Sequence, residues 1–330
     1  MKHSWRAGAA LLALTMAAGL AGCGGQTSQK TQSGGEKDSY TIGIVQLTPH
    51  EALDQATKGF QDALKEAFGD KVTFDLEYAA NDPATCATIA NTFVSSGVDL
   101  IMANASSALQ AAASATGDIP VLGTSVTEYG VALKIDDFSG TVGTNVSGTS
   151  DLAPLDQQAA MIQEWCPEAK TVGLLYCSGE PNSQYQVDTV QEHLEELGYT
   201  CTQYAFSDSN DMAAVTQTAA DNSDVIYVPT DNTVASNASI VDNICRPAKI
   251  PVFTGEQGIC KGCGVATLSI SYYDLGVTTG EMAVKVLRGE ADISQMPVEY
   301  APQFTKMYNQ DICDDLGLTP PEGYTALDAE

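Results

Sequence analysis

Three places in the 330-residue chain set polar side chains after an apolar, β-branched run and before a helical repeat. They are Asn104-Ala105-Ser106-Ser107, Ser178–Ser183 (SGEPNS) and Asp231-Asn232. A strand-to-helix junction offers free backbone N–H groups and the positive end of a helix dipole. It therefore receives an anion, with the Ser106 and Ser107 hydroxyls as extra donors, and the same residues serve equally as helix caps. Asn182 and Ser183 form either a matching clamp or a capping turn. Asp231 offers the opposite chemistry: a partly desolvated carboxylate pairs with an ammonium through charge-assisted hydrogen bonds, ~1.5–3 kcal/mol each. Asn232 either orients it or makes an Asx turn. Asp151 and Glu256 are further candidates for that cation. Gln46, His50 and Tyr273 are candidates for a wall against a flat apolar group, where ring contacts add ~0.5–1.5 kcal/mol beyond burial. His50 reads equally as a capping residue. Tyr272 and Tyr273 are adjacent, so alternate directions turn one of them inward. Thr127, Glu128 and Tyr129 are placed to flank the opening.

Catalytic arrangements fare worse. No GxxxxGK[ST] phosphate loop and no GxSxG nucleophile elbow occurs in the sequence, and neither His50 nor His193 has a partner at a recognisable spacing. The chain calls for no cofactor. Cys260-Lys261-Gly262-Cys263 is the one CxxC; a tetrahedral zinc site would need two further ligands. A redox CxxC belongs at a helix N-terminus, whereas this one reads as a Gly-rich turn between two strands. A structural disulfide or free thiols suit it better, with a thiol redox protein as the enzyme-class alternative. Eight further cysteines, counting these two and leaving out Cys23, invite disulfides whose pairing the spacing does not give.

The elements that must hold these residues alternate regularly. Strands are predicted over 40–47, 71–79, 98–103 and 119–124, and helices over 51–68, 83–96 and 106–115. The order then recurs. Helices fall over 155–166, 184–197, near 212–220 and near 235–244, and strands over 171–177, 200–206, 225–229 and 250–254. Each half reads as a βαβαβ unit with a parallel sheet and right-handed crossovers. The fold class is α/β: two doubly wound, Rossmann-like lobes, with ligands expected beyond the carboxyl ends of the strands. Lobe 1 is assigned residues 40–150 plus about 275–297. Lobe 2 is assigned 151–274 and, with less to place it, 298–330. The stretch 148–154 is the expected hinge. With 42 Asp+Glu against 15 Lys+Arg the formal charge is −27, which repels a phosphate backbone and argues against nucleic acid.

The N-terminus carries Lys2 and Arg6 before an apolar run too short to span a bilayer, the pattern of an export signal over residues 1–22. Leu20-Ala21-Gly22-Cys23 resembles the lipobox of bacterial lipoproteins, and the resemblance implies diacylation of Cys23. Two acyl chains hold a domain stably at a membrane. Residues 23–39, rich in Gly, Ser, Gln and Thr, read as a flexible tether.

The segments Ile42–Gln46 (IGIVQ) with His50 and Leu53-Asp54, Gly59-Phe60, Gly148–Asp151 (GTSD), SGEPNS, Val228–Asn232 (VPTDN) and Tyr272–Gly276 (YYDLG) resemble, in order, the substrate-binding lipoproteins of ABC transporters of the tryptophan/tyrosine-binding type. The resemblance implies a type I periplasmic-binding-protein fold that closes on a small ligand, an aromatic amino acid, and has no catalytic chemistry. It implies an ABC permease and its ATPase as partners, a monomer, and an exported chain lipid-anchored on the extracytoplasmic face. Many members carry Thr-Pro or Thr-Ser where this chain has Ala105-Ser106-Ser107, a departure in the contacts expected there. The alternative partner class is a non-transporter protein, for a sensory ligand-binding domain.

Overall fold

A computed structural model of the chain describes residues 37–327. The signal segment, Cys23 and most of the expected tether lie outside the described residues. No helix among the described residues is long and apolar enough to cross a membrane.

Lobe 1 is built from β1 (Tyr40–Gln46), α1 (Glu51–Phe68), β2 (Val72–Tyr78), α2 (Pro83–Ser96), β3 (Leu100–Asn104), α3 (Ser106–Ala115), β4 (Val121–Val126), α4 (Tyr129–Leu133) and β5 (Val146–Ser150). Lobe 2 follows with α5 (Leu155–Trp165), β6 (Thr171–Cys177), α6 (Pro181–Glu196), β7 (Thr200–Phe206), α7 (Met212–Asn222), β8 (Val225–Val228), α8 (Asn232–Ala235), α9 (Ala238–Ala248), β9 (Val252–Thr254), α10 (Gln257–Cys263) and β10 (Ala266–Ser269). The chain then runs back through α11 (Tyr272–Leu287) and β11 (Glu299–Tyr300) before β12 (Thr305–Tyr308), α12 (Gln310–Leu316) and β13 (Thr325–Ala326).

The strand orders are β11-β5-β4-β3-β1-β2 and β13-β12-β10-β9-β8-β6-β7. All pairings are parallel except β10 with β12. Both faces of each sheet are covered, so its central strands are apolar without alternation. On the first sheet, Phe93 and Leu109 pack on one face and Phe60, Leu64 and Met282 on the other. On the second, Trp165, Val190 and Ile312 face one side and Met212, Val241 and Ile259 the other. The chain passes between the sheets three times: after β5, after β10 and after β11.

Three local expectations change. The stretch 148–150 is strand, not linker. Its polar side chains are absorbed by neighbours, with Ser147 Oγ donating to the Met296 carbonyl at 3.0 Å and Thr149 Oγ1 lying 2.8 Å from Thr279 Oγ1. The helix predicted from Gln184 starts at Pro181, a residue that suits a first turn because its missing N–H would go unused there. Cys260 and Cys263 lie in α10 rather than in a turn. Glu256 caps that helix, and Ile259, Cys260 and Cys263 anchor it inward.

Helix α11 is seated on α1 through glycines. A Cβ at Gly276 would come within 2.0 Å of the Ala56 carbonyl oxygen, and one at Gly59 within 2.1 Å of the Tyr273 carbonyl oxygen. Backbone on both sides leaves nothing able to yield. Gly276→Ala is therefore expected to lower unfolding stability by about 1–3 kcal/mol by overpacking. Gly117→Ala, at a position with nothing within 4 Å, should change it by less than about 0.5 kcal/mol. Denaturant unfolding of the two variants checks the pair.

Candidate functional site

The carboxyl ends of β1, β3, β4 and β5 face those of β6, β8, β9 and β10, and the two sets of loops touch. His50 Nε2 lies 3.1 Å from Asn232 Oδ1, Asn81 Nδ2 donates to Thr233 Oγ1 at 2.9 Å, and Thr48 Oγ1 is 3.4 Å from Ser236 Oγ. Lys261 Nζ reaches Glu51 Oε2 at 3.7 Å. Beside these contacts a cavity of about 370 Å³ opens between α1, α10 and the β10–α11 link, lined by Glu51, Ala52, Gln55, Glu256, Ile270 and Tyr272 among others. That volume falls in the range of small-molecule sites.

Four carboxylates are buried at this junction: Asp151, Glu180, Asp231 and Glu256. Burying a carboxylate disfavours its charged form unless donors or a cation compensate. Glu180 has donors in abundance, accepting from the Asn232 and Thr233 backbone N–H groups at 3.0 and 2.8 Å, from Asn232 Nδ2 at 2.6 Å and from Thr233 Oγ1 at 2.8 Å. Asp231 accepts from the N–H groups of Cys177 at 2.7 Å and Val234 at 2.9 Å. Burial, and then the charge of Glu180, push its carboxyl up to about 8. Glu256 accepts from the N–H of Gly258 at 2.6 Å and from that of Ile259, and burial lifts it to about 7.

Asp151 differs. Its Oδ2 accepts from the Tyr272 hydroxyl at 3.0 Å, and the Thr127 hydroxyl also reaches the carboxyl. Its Oδ1 is buried without a hydrogen-bond partner, and burial raises its pKa. Burial and the charges of Asp151 and Glu256 together raise the pKa of the Tyr272 hydroxyl.

A second set of polar groups lies across lobe 1. Helix α3 begins at Ser106 after Ala105, which takes φ 93° and provides no side-chain cap. The register Asn104–Thr124 brings Ser125 beside this junction. Ser125, held at φ 53°, keeps its buried hydroxyl unpartnered, as does Asn104 Oδ1. A left-handed non-glycine costs of order 1–3 kcal/mol, a strain often found where a ligand is gripped.

Several sequence-derived candidates are placed differently from expectation. Asp231, expected to meet an ammonium, caps α8 and is filled by backbone donors; Ser183 joins them on its carboxyl. Asn182 donates to the Thr230 carbonyl at 3.1 Å and to Glu180, so it braces the acids within lobe 2. Asn232 carries the tie to His50, and burial lowers the imidazole's pKa. Gln46 is used inside lobe 1, donating to the Thr48 carbonyl and Asp54 and accepting from Thr57. Tyr273 lines the cavity as Tyr272 does, but its hydroxyl is on Asp62 and its ring under Lys58, while the Tyr272 hydroxyl is on Asp151. Ser107 borders the outer groove between α2 and α3. Glu256 caps α10 yet still lines the cavity, and Ser106 and Thr127 are buried just past the ends of β3 and β4. The sequence reading does not single out Glu180 or Ser125; Asn104 enters it only as part of the α3 junction, and Tyr272 only as one of two adjacent tyrosines of which one turns inward. Glu180, an acid in the short link between β6 and Pro181, carries the same kind of signal as Asp231 after β8.

The comparisons fit this geometry. A family model described as ABC transporter substrate binding protein matches residues 41–329. The chain is 34% identical over 309 residues to a tyrosine-binding protein of Clostridioides difficile (strain R20291), spanning 91% of this chain and 88% of that one. It resembles a crystal structure of an ABC domain in complex with L-Trp from Streptococcus pneumonia, with TM-score 0.83, 33% identity, and 88% of this chain and 100% of that chain covered. It also resembles the ligand-free, open structure of a substrate-binding protein with adhesive properties from Clostridium difficile. That match has TM-score 0.67 and 37% identity over 88% of this chain and 100% of that one. Fold alone is shared with a leucine-binding protein of Thermotoga maritima, at TM-score 0.60 and 14% identity with 77% and 84% covered. Two parallel-sheet lobes meeting at a polar junction, and a family match over nearly all the described residues, agree that the chain belongs to the ABC transporter substrate-binding protein family.

Proposed function

We propose that this chain captures an aromatic amino acid between its lobes and delivers it to an ABC permease and its ATPase, itself held at the membrane by a lipid on Cys23. The observation that carries the ligand reading is the open oxygen of Asp151: a buried carboxylate with one oxygen left without a partner and, among the described residues, no cation beside it is the complement of an ammonium. Tyr272 and Thr127 hold that carboxylate in place, and Glu256 adds negative potential. The α3 N-terminus with Ser106 and the Ser125 hydroxyl receives the ligand carboxylate, where N–H groups and the helix dipole favour an anion. His50 and Asn232 act as a latch between lobes instead of touching the ligand.

Closure around the ligand is supported by the similarity figures. The L-Trp complex matches with a TM-score of 0.83, whereas the open, ligand-free relative reaches 0.67 despite its 37% identity. That is the ordering expected of a closed lobe arrangement. Contacts to both lobes give a ligand the differential affinity that shifts an open–closed equilibrium.

Calorimetry with L-Tyr and L-Trp tests the reading. Asp151→Asn should weaken binding about 10- to 100-fold, the loss of one hydrogen bond between charged groups. Unchanged affinity would remove Asp151 from the site.

The buried acids also set a pH dependence. A carboxyl whose folded pKa exceeds its unfolded value binds more protons folded than unfolded, so its contribution to stability falls as pH rises between the two. For Glu256 this window runs from 4.5 to about 7. Between pH 5 and about 8 the ligand-free protein should lose thermal stability relative to Glu256→Gln, and melting curves of both across that range check the sign.

A further inference from the structure

Helix α8 is four residues long, yet two of its side chains carry the seam between the lobes. Asn232 Oδ1 lies 3.1 Å from His50 Nε2, and Thr233 Oγ1 accepts from Asn81 Nδ2 at 2.9 Å. Both side chains are held from behind by one buried acid, Glu180, in the link between β6 and α6. Glu180 Oε2 accepts from the Asn232 N–H at 3.0 Å, from Asn232 Nδ2 at 2.6 Å and from Asn182 Nδ2 at 3.3 Å. Its Oε1 accepts from the Thr233 N–H and from Thr233 Oγ1, each at 2.8 Å.

Five donors converging on one carboxyl are the complement of its ionised form, which accepts and cannot donate. Burial and the Glu180 charge hold the neighbouring Asp231 carboxyl above its usual range, so Asp231 is the member of this acidic pair that keeps a proton. An acceptor-only group dictates the direction of the bonds beyond it. The amide atom of Asn232 that meets Glu180 must be Nδ2, which leaves Oδ1 facing lobe 1. The single hydroxyl hydrogen of Thr233 is taken by Glu180, so toward Asn81 that oxygen can only accept. Lobe 1 must then supply the hydrogens, from His50 Nε2–H and Asn81 Nδ2–H.

We propose that Glu180 is a positioning residue for lobe closure: it fixes lobe 2 as the acceptor side of the seam, so lobe 1 closes only by presenting donors. The proposal rests on the lobe closure put forward under the proposed function, and not on the identity of the ligand. Glu180 acts through Asn232 and Thr233, which carry its polarity across to the other lobe. Asn81 is presented by a turn in which Ala80 and Asn81 take left-handed backbone, φ 52° and 61°, before Asp82 caps α2. Asn, Asp and Gly all accept that conformation, so the donor can be exchanged there without disturbing the turn.

Small-angle scattering of the ligand-free full chain tests the proposal, at high ionic strength so that repulsion between separated charges is screened. The radius of gyration should rise from wild type to Asn81→Gly, which removes the donor, and further to Asn81→Asp, which sets acceptor against acceptor. Glu180→Gln should also open the lobes. In the Glu180→Gln background the Thr233 hydroxyl is free to turn round, so Asn81→Asp should add a smaller rise than it does alone. A merely structural role for Glu180 would leave the two substitutions additive. Glu180→Gln as compact as wild type, Asn81→Asp no more open than Asn81→Gly, or additive effects would each overturn the proposal. Circular dichroism checks that Glu180→Gln folds; should it not, the order of the two Asn81 variants decides. Calorimetry with L-Tyr adds a second reading. Glu180→Gln should weaken binding about 10-fold through the lost closed population, and unchanged affinity would overturn the proposal. A wild type that binds neither L-Tyr nor L-Trp would instead remove the ligand reading, and the ligand-free scattering order would still decide the role of Glu180.

Discussion

Negative charge without a matching cation is the constraint around which the junction between the lobes is arranged. Asp151, Glu180, Asp231 and Glu256 are all buried there, and each departs from water at a penalty of several kcal/mol unless other groups compensate. Backbone N–H groups do most of the compensating. Glu180 ties the start of α8, Asp231 caps that helix, and Glu256 caps α10, so three of the four acids organise the loops that carry them. What remains after this accounting is one oxygen of Asp151. It is on this oxygen that the proposed capture of an amino-acid ammonium rests.

The outline of the fold was plain from the chain itself. Strands such as Thr171–Cys177 are continuous apolar runs because helices cover both faces of their sheet, and the repeated order of elements implied two lobes. The errors have local physical causes. Val146–Ser150 is a strand made of small and polar residues, stable because Ser147 and Thr149 bond to the α11 region far along the sequence. Helix α10 contains glycines and only seven residues, which reads as a turn until the Glu256 cap and the burial of its cysteines are seen.

The site was legible by position more than by role. Glu256 and Tyr273 line the cavity and His50 and Asn232 join the loops beside it, whereas Ser107 borders an outer groove and Gln46 is used inside its own lobe. Roles depended on partners remote in sequence. Asp231 looked available until Cys177 donated to it, and the His50–Asn232 tie joins residues 182 positions apart. Hydroxyls left without partners, such as that of Ser125, have no signature in a sequence because every serine looks alike until its surroundings are known.

The glycine seam between α1 and α11 has a bearing on the order in which events unfold. Tyr272 opens α11, and α11 is locked by backbone-to-backbone approach onto α1, so the hydroxyl that steadies Asp151 rides with lobe 1. Asp151 itself emerges from β5 of that same lobe. The Tyr272–Asp151 pair and the α3 junction with Ser125 are therefore both held by elements of the first sheet and the helix locked onto it. If a solute is taken up as proposed, half of its receptor surface stands on a single lobe, and the other lobe arrives as a cover rather than as a competitor for the first encounter.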